Sequence, residues 1–188
     1  MSDVTFDMQK NSMSVHNKRV EPWKVTLVDT GDSSMTGGRL RRVKEYLEPG
    51  ETFCFTYGDG VGDIDITSSI LFHNSHNKAA TMTCTYPPGR FGAIEINSGQ
   101  VQSFTEKPRG DGGMVNGGFF VLDTSVIDLI DNDSTIWEQE PLSNLTKKGE
   151  LMAYEHGGFW QPMDTLRDKR YLEELWESDR APWKQWSS

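Results

Sequence analysis

Phe53-Cys54-Phe55-Thr56-Tyr57 is a nearly unbroken apolar run that stops abruptly at Gly58-Asp59-Gly60. Without polar alternation, such a run suits a strand buried on both faces, as in a parallel sheet. Strand-like segments at 23–28, 79–86, 118–122 and 151–155 share its character. Between them lie stretches of helical spacing. Leu40, Val43, Tyr46 and Leu47 recur with that period within Arg39–Leu47, which Pro49-Gly50 closes. Ile66, Ile70 and His73 mark a helix beginning near Asp65 or Thr67. Further helices are expected over 125–130, 135–148 (closed by Gly149) and 166–176. Strands alternating with helices predict an α/β layered sheet.

Two hairpins interrupt the alternation. Val4-Thr5-Phe6 and Met13-Ser14-Val15 flank a Gln9–Ser12 turn, and Phe91–Ile96 and Val101–Glu106 flank Asn97-Ser98-Gly99-Gln100. With 188 residues, no internal repeat and no low-complexity linker, one domain over 1–188 is expected. The charge balance of 19 basic against 28 acidic residues argues against a nucleic acid or an anionic membrane as main partner. A local phosphate site remains compatible with it. Cys54 and Cys84 sit in apolar runs and read as buried free thiols of a reducing cytosol. His16, His73, His76 and His156 show no metal-ligand spacing, and the Trp-rich tail reads as packing for a helix or a subunit contact. No long apolar stretch or signal-peptide hydrophobic region occurs, so a cytoplasmic protein is expected.

In open α/β sheets ligands bind beyond the carboxyl ends of the strands, and four segments place polar groups there. In Tyr57-Gly58-Asp59-Gly60 the glycines permit close backbone approach and Asp59 is a hard oxygen donor suited to Mg²⁺, although Gly and Asp also favour plain turns. Asp164, after Gly157–Met163, is either a helix N-cap or a second carboxylate for the same metal. Glu106-Lys107 is either a solvated pair at a strand end or a sugar-hydroxyl acceptor beside a phosphate-binding cation. Thr36-Gly37-Gly38-Arg39 is either a flexible loop with a capping Thr or an anion and nucleobase site. Asn116-Gly117-Gly118 adds a Gly-flanked amide at a strand start.

Read in order, DTGDSSMTGGRL (29–40), FTYGDGVGDID (55–65), PPGRFGAI (87–94), FTEKP (104–108), NGGFFVL (116–122) and FWQPMDTLRDK (159–169) resemble the glucose-1-phosphate cytidylyltransferase branch of the sugar nucleotidyltransferase family. The resemblance implies a Rossmann-like mixed sheet with helices on both faces and a β-hairpin insertion. It implies transfer of CMP from CTP to glucose 1-phosphate, giving CDP-glucose and pyrophosphate with Mg²⁺, in a protein of oligomeric habit. By the same resemblance Asp59 and Asp164 hold the metal, and Lys107 holds the sugar phosphate and orients its oxygen. Tyr57, Gly92, Glu106, Asn116 and Trp160 surround the glucose, while Thr36, Gly37, Gly38 and Arg39 face the cytosine and ribose.

The family's GGxGTRL loop and PKPM segment have no counterpart here. The expectation is a nucleotidyltransferase domain lacking its first β-α-β-α portion and, with it, the triphosphate grip and strands along one sheet edge. Such a chain would fold poorly alone or need a partner on that edge, and a cooperative monomeric melt would contradict this. Two other functions fit parts of the sequence. One is a non-catalytic sugar-phosphate-binding remnant. The other is a nucleotide-sugar-dependent glycosyltransferase using Asp63-Ile64-Asp65 as a D-x-D motif.

Overall fold

The structure is a computed structural model that describes residues 3–16, 23–89, 93–105 and 113–186. Its centre is a four-stranded mixed sheet of β3 (Thr52–Thr56), β8 (Val115–Asp123), β5 (Ala80–Thr85) and β9 (Leu151–His156), in the order β3-β8-β5-β9. Only β5 and β9 run parallel, and β8 is antiparallel to both of its neighbours.

The apolar run Phe53–Tyr57 is therefore not a central parallel strand. β3 is an edge strand paired only with β8 among the described residues. Its side chains alternate between exposed and half-buried, with Phe53 and Phe55 turned inward and Cys54 exposed. Apolarity alone cannot distinguish an edge from a centre, because it does not report how many partners a strand has. Cys84 is buried, as expected.

Side chains on one strand alternate between faces, and this alternation sorts the helices. Ala80, Phe120 and Leu122 join the main core with Leu40 of α1 (Thr36–Arg42) and Leu142 and Leu145 of α3 (Glu140–Lys147). The core also takes in Trp137 and the 3₁₀ turn at Thr124–Leu129, through Val126 and Ile127. Thr81 points the other way and meets His73 and His76 of α2 (Ile66–His76), so α2 covers the opposite face. Helices on both faces are thus present. Within 135–148, regular helix starts only at Glu140, because Pro141 lacks an N–H and fits the first turn.

The N-terminal hairpin pairs β1 (Val4–Asp7) with β2 (Ser12–Val15), and the inserted hairpin pairs β6 (Ala93–Asn97) with β7 (Gln100–Thr105). Residues 23–28, expected as a strand, form no ladder. No strand among the described residues lies beside them to take their hydrogen bonds. α4 (Leu166–Glu177) closes the fold, and the tail packs back on it: Trp186 lies 6.3 Å from Trp176 and Trp183 5.4 Å from Phe159. No described helix is long and apolar enough to cross a membrane.

The polar contact under α2 carries a pH signature. His73 is buried, with Nδ1 2.9 Å from Thr81 Oγ1 and Nε2 3.2 Å from Asp123 Oδ1, while His76 Nε2 lies 2.8 Å from the same Thr81 oxygen. Burial, followed by the neighbouring His73, pushes the His76 imidazole below its ordinary value, and Asp123 and Glu150 oppose this weakly. The unfolded chain therefore binds the His76 proton more readily than the folded one. Stability is full above about pH 6.5 and falls as pH drops toward the lowered folded value. Thermal melts between pH 8 and pH 5 should show this loss, and His76→Asn should flatten it.

Candidate active site

Two short strands with no periodic sequence signal bring together the segments that carry the candidate carboxylates. β4 (Gly60–Gly62) follows Asp59 directly, and β10 (Trp160–Pro162) pairs with it antiparallel: Trp160 opposite Gly62, Gln161 opposite Val61, Pro162 opposite Gly60. The Met163 N–H donates to the Asp59 carbonyl at 2.8 Å, extending the register by one residue. Asp59 and Asp164, distant in sequence, leave this ladder at the same end, and both are exposed.

A polar clasp secures the other end. Asp63 Oδ1 accepts the Phe159 N–H at 2.7 Å, and the Asp63 N–H donates to the Phe159 carbonyl at 3.2 Å. His156 Nε2 lies 3.0 Å from Asp63 Oδ1 and 3.1 Å from the Phe159 carbonyl. Both are acceptors, so Nε2 carries a proton. Gly158 fits because a Cβ there would lie 2.6 Å from His156 Cε1 and overlap the Asp63 carboxylate.

These contacts settle two alternatives left open by the sequence. Asp63 holds the clasp, and Asp65 caps α2 by accepting the Ser68 N–H at 2.9 Å and the Ser68 hydroxyl at 2.7 Å. Those bonds hold the Asp65 carboxyl below its usual range. Both acids of the D-x-D are thus structural, which removes the basis of the glycosyltransferase reading. At α4 the cap is Thr165, in a capping box with Asp168, so an N-cap role does not account for Asp164. The buried Gln161 adds a bond to Asp168 Oδ1 at 3.1 Å and ties β10 to α4.

On the sugar side, Tyr57 and Asn116 come together across β3 and β8, with Asn116 Nδ2 3.4 Å from the Tyr57 hydroxyl. Asn116 Oδ1 accepts the Gly118 N–H at 2.8 Å. Gly118 has φ +77°, and a Cβ there would lie 2.8 Å from the Tyr57 ring, so both backbone and packing require glycine. The Trp160 indole N–H donates to the Gly117 carbonyl at 2.8 Å, so Trp160 locks β10 onto β8. Gly92, Glu106 and Lys107 lie outside the described residues.

On the nucleotide side, Thr36 opens α1, but its side chain does not cap the helix; Met35 is the N-cap residue. The Thr36 hydroxyl donates to Glu138 Oε2 at 2.7 Å. Gly37 and Gly38 are buried against the 133–135 turn: a Cβ on Gly37 would lie 2.7 Å from the Thr135 carbonyl, and one on Gly38 2.6 Å from Asp133 Cα. The Arg39 guanidinium folds onto the preceding loop, donating to Thr30 Oγ1 at 2.7 Å and to the Asp32 carbonyl at 3.4 Å. Sequence reasoning missed Glu138, which carries no motif of its own. Its only signal is its position after Trp137, a buried anchor.

No set of three or more His, Cys, Asp or Glu residues is grouped for a metal among the described residues. A pair of carboxylates is nonetheless what Mg²⁺ takes when substrate phosphates complete its shell. Asp59 fits that use, since no hydrogen bond or ion pair engages its carboxylate among the described residues.

The profile of the Nucleotidyl transferase family matches residues 7–161. The chain belongs to that family of enzymes. It is 71% identical over 186 residues to the glucose-1-phosphate cytidylyltransferases of Salmonella typhimurium (strain LT2) and Salmonella typhi, a match covering 99% of this chain and 72% of theirs. In fold it is similar to the crystal structure of HddC from Yersinia pseudotuberculosis, with a TM-score of 0.57 and 21% identity over 77% of this chain and 64% of that one. The resemblance read from the ordered motifs is thereby upheld, as is the nucleotidyltransferase fold.

Proposed function

We propose that this nucleotidyltransferase domain serves cytidylyl transfer to glucose 1-phosphate. The sugar phosphate oxygen forms a bond to the α-phosphorus of CTP while the bond from that phosphorus to the α,β-bridging oxygen breaks, leaving pyrophosphate and CDP-glucose. The observation that carries the reading is the β4–β10 ladder, from the same end of which the segments bearing Asp59 and Asp164 emerge. The Salmonella relatives, as glucose-1-phosphate cytidylyltransferases, supply the substrate pair. In-line phosphoryl chemistry depends on positioning and charge neutralisation, which a rigid ladder provides.

Asp59 and Asp164 would hold Mg²⁺, which when bound supplies neutralisation of phosphate charge. Tyr57 and Asn116 would orient the sugar, Lys107 would take its phosphate, and the loop before α1 would face the nucleoside. Calorimetric titration of each substrate alone tests the reading. Heat from glucose 1-phosphate, and from CTP in the presence of magnesium, is expected. No binding of glucose 1-phosphate would contradict it, and binding of the sugar phosphate without CTP would instead favour the non-catalytic remnant.

A further inference from the structure

Asp164 lies on the short stretch between β10 and α4, and a single carboxylate holds that stretch from both sides. Asp168 sits in the first turn of α4, three residues beyond the Thr165 cap. Its Oδ2 accepts the Thr165 N–H at 3.1 Å and the Thr165 hydroxyl at 2.8 Å. In return the Asp168 N–H donates to Thr165 Oγ1 at 3.2 Å. Its other oxygen, Oδ1, accepts Gln161 Nε2 at 3.1 Å, from within β10. The same Gln161 nitrogen donates to the Pro162 carbonyl at 3.1 Å.

Starting the helix accounts for only half of this. A capping box is complete with the bonds between Thr165 and Asp168. The bond from Gln161 spans seven residues in the opposite direction and adds nothing to the cap. Gln161 is buried, and a buried amide that loses its acceptor is costly, so the bond fixes where β10 ends relative to α4. Bonds to an ionised carboxylate are also firmer than those between neutral groups. Pro162, Met163 and Asp164 are therefore closed into a loop on Asp168. The Met163 N–H pins the middle of that loop to the Asp59 carbonyl at 2.8 Å. None of these bonds involves the Asp164 carboxylate, so the loop sets its direction without occupying it.

We infer that Asp168 is a positioning residue, which orients the Asp164 carboxylate toward a divalent cation by gripping Gln161 on one side and Thr165 on the other. This rests on the function proposed above, in which Asp164 holds Mg²⁺.

Mn²⁺ titrated into the nucleotide-free protein, with the free ion counted by its EPR signal, tests it without turnover. Gln161→Leu and Asp168→Ala should each weaken Mn²⁺ binding by about tenfold, the scale on which losing a group that orients a metal ligand is felt. Gln161→Leu in the Asp168→Ala background should add nothing, because both changes break the same bond. Thr165→Val should also weaken binding, and Thr165→Ser, which keeps the hydroxyl, should restore it. Ile127→Val, in the main core, controls for stability: it should lower the melting temperature and leave Mn²⁺ binding unchanged. Full-strength Mn²⁺ binding in both Gln161→Leu and Asp168→Ala, lost in Asp164→Asn, would overturn the inference and leave the proposed function standing. The absence of any Asp164-dependent Mn²⁺ binding in the unaltered protein would overturn both.

Discussion

Replacing Asp59 with asparagine is expected to lower nucleotidyl transfer by about a hundredfold or more, the scale of losing one group that stabilises transition-state charge. The fold should survive. The Asp59 side chain has no partner among the described residues, whereas its backbone carbonyl, which asparagine keeps, accepts the Met163 N–H. Asp164→Asn should match the loss, and the double variant should fall little further than either single one, because the two acids act as a unit. Asp63→Asn differs in kind. Asp63 holds the Phe159 turn and His156, so its loss should lower the melting temperature as well as the rate. Measuring kcat and melting temperature together distinguishes the two sorts of acid.

Gly38→Ala should be the most damaging single-methyl change. A Cβ there would lie 2.6 Å from Asp133 Cα and overlap the neighbouring carbonyl, so α1 would have to move as a body off the 133–135 turn. Two bonds fix that contact: Met35 N–H to the Asp133 carbonyl at 2.8 Å and Gly38 N–H to the Thr135 carbonyl at 3.2 Å. Arg42 adds an ion pair to the same Asp133. Overpacking against backbone costs about 3 kcal/mol, or roughly 6–12 °C of melting temperature in a chain of this size. Gly58→Ala is the contrast, since nothing lies within 4 Å of a Cβ there. It should leave the melt unchanged and report only on what approaches the loop beside Asp59.

How far the sequence foretold this depends on how local each feature is. α2 and α4 carry their own caps, Asp65 and Thr165, and their starts were legible to within a residue or two. β5, β9 and both hairpins were legible as strand-like runs bounded by turn residues. The edge position of β3 was not legible, because partner number is a property of the sheet. Residues 23–28 misled for the same reason: strand propensity is expressed only beside a partner. At the site, the ordered motifs singled out Asp59, Asp164, Tyr57 and Asn116; the structure links Tyr57 with Asn116 and puts Asp59 and Asp164 at one end of the β4–β10 ladder. What holds these residues in place was hidden. β4 and β10 have three residues each, with Gly or Pro among them, and so leave no periodic trace. Glu138 and the Asp63–His156 clasp act across long sequence separations, and a single sequence does not encode such pairings locally. The TGG segment shows a further limit, since its glycines look made for a ligand and are buried against the 133–135 turn.

The most direct measurement of the central claim is pyrophosphate release from CTP by the purified protein, with glucose 1-phosphate and magnesium present. The account predicts pyrophosphate in step with CDP-glucose, dependent on the sugar phosphate and slower by about a hundredfold or more in Asp59→Asn. A folded protein that binds glucose 1-phosphate yet releases no pyrophosphate, or one that releases it equally well after Asp59→Asn, would contradict it.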